Sequence, residues 1–275
     1  METIYIKGGN LLDLNKRAQL VRQWIYQAAD QIHEGLKNPL IVQTKSNPKD
    51  LVTNLDQSTE KFIRSQIKAH FPQDKILGEE GGQGQIDSLE GPVWIIDPID
   101  GTTNFVCQHN HFAIMVAFAL DGDVQLGAIY DVMNDDYFSA VKGQGIQRNG
   151  QPYQVPYDDL AISESLIALN RQILLDDHYH AKDLVSQSLG IRYNGSAGLE
   201  ILNVLKGELS LYAALALKPW DLAAGVALVN ESPLKLTQLD GQALNLMQAN
   251  ASVIAYPSAY QTFRDLYERS VQEDD

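Results

Sequence analysis

The sequence predicts an α+β protein in two parts, helices on a largely antiparallel sheet followed by an α/β layer, and three observations support this. Two amphipathic helical periods open the chain, and four apolar runs separated by turn residues follow. After about residue 160, short apolar runs alternate with helical ones. The 275 residues then divide into an N-terminal subdomain, residues 1–157, and a C-terminal α/β subdomain, residues 158–275.

The first helix runs from Leu14 through Ala18, Val21, Ile25, Ala28, Ile32 and Leu36, apolar steps of three and four behind a capping Asp13. A second starts near Thr53, where Thr53 and Asp56 stand in capping-box relation, and continues through Phe62, Ile63 and Ile67 to Pro72. Between them QTKSNPKDLV reads as an irregular or edge segment because of Pro48. Beyond the acidic, glycine-rich loop Gly78 to Gly91, the runs Val93–Ile96, Phe112–Leu120, Val124–Val132 and Tyr137–Val141 read as strands. Asp121-Gly122, Asn134-Asp135-Asp136 and Asn149-Gly150 supply hairpin turns. Further on, Leu166–Leu169, Leu209–Leu215 and Val253–Tyr256 read as strands, and Ala181–Leu189, Ala197–Leu205, Leu222–Asn230 and Ala259–Val271 as helices.

A net charge of −14 argues against nucleic acid or an anionic membrane as a non-specific partner, since such binding needs a basic surface. The single cysteine, Cys107, permits no intramolecular disulfide and fits a reducing compartment. No targeting leader and no apolar run of membrane-spanning length is read, so the cytoplasm is the expected location.

The chemistry concentrates in WIIDPIDGTTNFV, residues 94–106. Asp97 and Asp100 follow an apolar run at a strand end, where their joint ionisation is costly unless something positive sits between them. Gly101-Thr102-Thr103 opens a helix whose first N–H groups suit a phosphate, with Gly101 letting the backbone come close. Glu79-Glu80 follow Ile76-Leu77, and Asp221 follows another apolar run in KPWDLAAG. If these clusters converge, about four or five negative charges share a pocket, and roughly two or three divalent cations such as magnesium would reverse its sign.

Simpler readings compete. Asp97, Asp100 or Asp221 alone serves equally as a helix cap, and Glu79 or Glu80 as a solvated surface acid. Cys107 lacks a catalytic partner, and His109, His111, His178 and His180 lack a second ligand pair at zinc-site spacing. A calcium loop starting at Asp97 fails at Thr102 and Gln108, where glycine and glutamate are required. An aspartyl-phosphate mechanism fails because Pro98 stands where the nucleophile would.

Together the segments KSNPKDLVTNLD, Gly78-Glu79-Glu80, WIIDPIDGTTNF, Gly195-Ser196-Ala197 and PWDLAAG resemble the inositol monophosphatase family of magnesium-dependent, lithium-sensitive phosphatases. The resemblance implies a layered αβαβα sandwich with an antiparallel N-terminal sheet and a mixed C-terminal sheet, commonly as a homodimer. It implies two or three Mg²⁺ ions: one on Glu79, Asp97 and the Ile99 carbonyl, a second on Asp97, Asp100 and Asp221, and a third near Glu79. It further implies that Thr102 with Asp56 or Glu79 orients the attacking water. Gly101 and Thr102 N–H groups would hold the phosphate of a small metabolite, Lys45 would stand by as a cation, and Gly195 and Ser196 would contact substrate. On this reading Asp100→Asn removes most activity and leaves the fold intact.

One departure concerns specificity. Inositol-selective relatives usually carry a glutamate six residues before the tryptophan of the PWD motif, and here that position is Ala214. Inositol phosphate, sugar bisphosphate, phosphoadenosine phosphate and NADP all stay open as substrates. Ser232-Pro233 also replaces a glycine pair common after that helix. A non-catalytic binding module that keeps the fold is the rival from another class, and the intact Glu79, Asp97, Asp100, Thr102 and Asp221 argue against it.

Overall fold

The structure, a computed structural model, describes residues 13–45, 48, 50–81 and 86–274. The reading of residues 1–12 as leaderless lies outside the described residues, as do Ser46, Asn47 and Lys49.

Local signals set both N-terminal helices. Asp13 accepts the Lys16 N–H at 2.9 Å and starts α1 (Leu14–Gly35). Thr53 caps α2 (Asn54–His70), and Asp56 returns a bond to the Thr53 N–H at 2.8 Å, completing the expected capping box. The segment before it, expected to be irregular or edge-like, forms a two-stranded antiparallel hairpin of β1 (Val42–Thr44) and β2 (Leu51–Thr53).

A seven-stranded sheet follows in chain order: β3 (Lys75–Gly78), β4 (Pro92–Asp100), β5 (Ala113–Leu120), β6 (Asp123–Asp131), β7 (Asp136–Val141), β8 (Ile146–Arg148) and β9 (Gln151–Tyr153). Every neighbouring pair is antiparallel except β3 with β4. Asp121-Gly122 and Asn149-Gly150 each have positive φ at both residues, as two-residue hairpin turns require. The helix α3 (Thr102–Gln108) joins β4 to β5.

The C-terminal sheet is mixed. Its strands β10 (Leu166–Leu169), β11 (Gly190–Ile191), β12 (Leu211–Leu217), β13 (Lys235–Gln238) and β14 (Asn250–Ala255) lie in the order β11-β10-β12-β14-β13. The helices are α4 (Arg171–Leu175), α5 (Ala181–Gln187), α6 (Ala197–Leu205), α7 (Pro219–Asn230) and α8 (Pro257–Asp274). The strands β8, β9, β11 and β13 and the helix α4 escape sequence reading, being two to five residues long and too short for a period to show. Helix α7 starts three residues before the expected Leu222, because Pro219 occupies its first turn, where a missing N–H costs nothing.

Alternation along the strands separates two cores. Trp94 and Ile96 of β4, with Ile114, Val116 and Phe118 of β5, face α1 and α2. Val93, Ile95, Ala113, Met115 and Ala117 face the opposite way, onto α6 and α7. The small residues Ala223, Ala224, Gly225 and Ala227 let α7 lie between the two sheets. Helices α4, α5 and α8 cover the outer face of the second sheet, so the layers run αβαβα as the resemblance implied. Among the described residues no helix is long and apolar enough to cross a membrane.

Candidate metal centre and active site

Strand β4 does not stop at Ile96, as the apolar run suggests, but continues to Asp100 through a bulge. Its register passes from Asp97↔Met115 to Asp100↔Ala113, with one residue more on β4 than on β5. Pro98 inside the bulge has no N–H to give the ladder. In a regular strand, residues three apart point to opposite faces. The extra residue turns Asp100 to the α6 side with Asp97 and sends Ile99 into the α1–α2 core.

Asp221, in the first turn of α7, joins them from the other half of the chain. One carboxylate oxygen from each of Asp97, Asp100 and Asp221 lies within 4.8 Å of the others. At an effective dielectric of ~20, full ionisation costs at least about 3 kcal/mol per pair. Burial, then the charges of Glu79, Asp100 and Asp221, pushes the Asp97 pKa far up, while burial and then Asp100 do the same to Asp221. Asp100 rises to about 6: burial raises it, and hydrogen bonds from Ser196, Gly198 and Ala197 oppose the rise.

Those bonds show that Asp100 holds two roles. Its Oδ2 accepts the Ser196 hydroxyl at 2.5 Å and the Gly198 N–H at 2.6 Å, and its Oδ1 accepts the Ala197 N–H at 3.1 Å. It therefore caps α6 across the sequence while facing Asp97 and Asp221. A Cβ on Gly198 would stand 3.0 Å from Asp100 Oδ2 and 2.8 Å from Met115 Sδ, so any other residue there forces these side chains to shift. The premise behind Asp100→Asn, a surface-facing strand end, is corrected accordingly. Asp100 is buried, not surface-facing, and an amide there would set its N–H₂ group against either the Ala197 N–H or the two donors at Oδ2.

The other expected residues arrive around this trio. Glu79, just past β3, acts on Asp97 and accepts from the Lys45 ammonium at 2.8 Å, and Lys45 also donates to Glu80 at 2.6 Å. Burial works against the charge on Lys45, but these two carboxylates outweigh it and raise its pKa. The Thr102 hydroxyl lies 3.2 Å from Asp56 Oδ1 and 3.1 Å from the Ile99 carbonyl oxygen. Gly101 precedes α3 at φ 96°, a left-handed conformation that favours glycine. Gly195, with Asn104 and Tyr193, lines an adjoining cleft of about 810 Å³. Cys107 is exposed, and His178 and His180 sit beside Asp176 and Glu273 at 3.6 and 3.4 Å, away from the trio.

Two supporting residues escape the sequence reading. Glu60 of α2 accepts the Glu80 N–H at 2.8 Å and pairs with Arg64 at 2.6 Å, buttressing the Glu79-Glu80 turn. Glu200 of α6 is fully buried and accepts the Asn194 N–H, and Asn194 in turn accepts from Asn104 at 2.6 Å. A single acid in the apolar run AGLEILNVL was the available signal for Glu200. Nothing marked Glu60 among the other polar residues of α2.

The donor set fits magnesium, since it consists of hard carboxylate oxygens without thiolate or imidazole. Among the described residues no lysine or arginine ion pair reaches Asp97, Asp100 or Asp221, and Lys45 is committed to Glu79 and Glu80. A cation is therefore what this buried charge lacks.

Comparisons with known proteins agree. The inositol monophosphatase family matches residues 13–272. Inositol-1-monophosphatase of Bacillus subtilis (strain 168) is 38% identical over 253 residues, spanning 90% of this chain and 95% of its own. A crystal structure of an IMPase/NADP phosphatase complexed with Mg²⁺ and phosphate superposes with TM-score 0.86 at 28% identity, covering 93% of this chain and 96% of that one. A 2′AMP-bound SaIMPase-II gives TM-score 0.82 at 33% identity, covering 96% and 99%.

Proposed function

The chain belongs to the inositol monophosphatase family, and on that premise we propose that it hydrolyses inositol-1-phosphate-like monoesters by direct in-line attack of water, without a phosphoenzyme. It is a magnesium-dependent phosphatase of small phosphorylated metabolites. The observation that carries the reading is the convergence of the buried Asp97 and Asp100 with the half-buried Asp221, whose like charges require a cation. On this proposal Glu79 and the Ile99 carbonyl complete the metal ligands. When bound, magnesium lowers the pKa of water and offsets phosphoryl charge.

The chain's own residues supply the rest. Thr102, tethered between Asp56 and the Ile99 carbonyl, has its hydroxyl fixed where a water can be oriented, and the buried Asp56 or Glu79 accepts a proton from that water. The amides of Gly101 and Thr102 receive phosphate oxygens at the α3 start. Lys45 holds Glu79 and Glu80 in place and adds positive charge at the rim. Gly195 and Ser196 border the leaving group, with Ser196 also holding Asp100. A cytoplasmic homodimer is the setting inferred from the family resemblance and the lone cysteine.

Phosphate release from inositol-1-phosphate, fructose-1,6-bisphosphate, phosphoadenosine phosphate and NADP, each with and without magnesium, tests the proposal. Magnesium-dependent turnover of inositol-1-phosphate is expected. Folded, magnesium-loaded protein that cleaves none of the four would instead favour the non-catalytic reading.

A further inference from the structure

The cleft lined by Gly195, whose neighbour Ser196 bonds Asp100, is also lined by Thr103, Asn104, Arg171 and Tyr193. Arg171 is the only charged side chain among its described lining residues. It is exposed and forms no ion pair among the described residues, in a chain of net charge −14. Its position follows from the sheet. Leu169 of β10 pairs with Ala213 of β12, and the Asn170 N–H donates to the Ala213 carbonyl at 2.8 Å. Arg171 therefore leaves the strand end that adjoins Ala214, the position where polyol-selective relatives carry a carboxylate. Ala214 is 2% exposed and offers no hydrogen-bonding side chain.

Tyr193 occupies the same cleft with 47% of its surface exposed, leaving its ring available to a ligand. Burial, then the charges of Glu200 and Asp100, raises its pKa, while Arg171 opposes the rise. An ester seated with its phosphoryl group at the trio extends its leaving group into this space. A neutral polyol finds a cation and an aromatic face here in place of a carboxylate acceptor. A leaving group carrying a further phosphate finds a planar fork suited to bidentate pairing, and a nucleobase finds a stacking surface.

Building on the phosphatase reading above, we propose that Arg171 and Tyr193 form a leaving-group subsite that selects esters whose alcohol carries a second anionic group, as in a phosphorylated dinucleotide. NADP and 2′-AMP make a matched pair of probes. Both present a 2′-phosphate on adenosine, and only NADP adds a pyrophosphate. The expected wild-type kcat/KM is at least about tenfold higher for NADP, falling as salt is raised. Arg171→Gln is expected to lower the NADP to 2′-AMP ratio by about 10–100-fold, mainly through KM, and Arg171→Lys by less, because it keeps the charge and loses the fork.

A ratio unchanged within about twofold in Arg171→Gln overturns the subsite, as does a wild type that prefers 2′-AMP. Both results leave the phosphatase reading standing, since phosphate is still released. If neither these esters nor inositol-1-phosphate is cleaved, the phosphatase reading and the subsite fall together.

Discussion

Near the start of β4 the Trp94 indole N–H donates to Asp74 at 2.8 Å, and Arg17 meets the same carboxylate at 2.6 Å. At the end of the strand Asp97 and Asp100 face Asp221 with no basic side chain among them. Both places bury charge. The first neutralises it within the chain: the Arg17 guanidinium lies 3.8 Å from the Phe71 ring centroid and 4.2 Å from that of Phe118, so aromatic faces and a carboxylate replace its water. The second leaves the balance to a ligand. A buried charge cluster that closes on itself supports the fold, and one that stays open marks the place where a cation has to enter.

Removing one charge from each cluster sharpens the contrast. Asp221→Asn is expected to give the largest effect, a loss of kcat on the order of 10³-fold or more, equivalent to ~4 kcal/mol. The same variant should lose the wild-type rise in melting temperature on adding magnesium, while its metal-free melting temperature equals or exceeds that of wild type, because one of three like charges is gone. Calorimetry with and without magnesium checks both, and a metal-free protein strongly destabilised by the change would make the trio a structural element like the Arg17 cluster.

Asp74→Asn tests the other end. It strips the buried Arg17 of this carboxylate and should cost about 3 kcal/mol in urea unfolding, with kcat of the folded protein within about twofold of wild type. A kcat loss without a stability loss would reverse the roles assigned to the two ends of β4.

Glu200 lies between the two cases, a fully buried acid whose Oε2 has no hydrogen-bond partner among the described residues. Burial raises its pKa to about 7, with Asp100 adding to the rise and the Asn194 N–H opposing it. Since the folded value lies above the unfolded one, its stabilising contribution is full below pH ~4.5 and is lost as pH rises through about 7. Relative to Glu200→Gln, wild type should lose on the order of 3 kcal/mol between pH ~4.5 and ~8. Parallel stability curves for the two proteins over that range would place the ionisation elsewhere.

Much of this was readable along the chain. Asp13 and the Thr53–Asp56 pair announce α1 and α2, the Asp121-Gly122 and Asn149-Gly150 turns announce hairpins, and the carboxylates after apolar runs announce the metal centre. Each of these signals lives within a few residues. The β4 bulge was not readable, because a register shift is a relation between two strands, and a single strand does not display it. Asp100 reads along the chain as either a cap or an acid of the metal cluster, and the structure makes it the cap of α6 while placing it within the Asp97–Asp221 group.

By itself, then, the sequence determined the helix starts, the turns, the two-part α+β pattern and the acidic residue types that suit a divalent cation, all consequences of local propensity and periodicity. Only the tertiary structure decided that Asp100 caps a helix 97 residues further on at Ala197, that Glu200 and Glu60 brace the site, and that Arg171 follows directly on the Asn170 N–H bond to the Ala213 carbonyl of β12. The physical reason is the same for each. A buried polar group must find its partner wherever packing brings one, and packing between sheets and helices joins residues whose separation along the chain carries no signal.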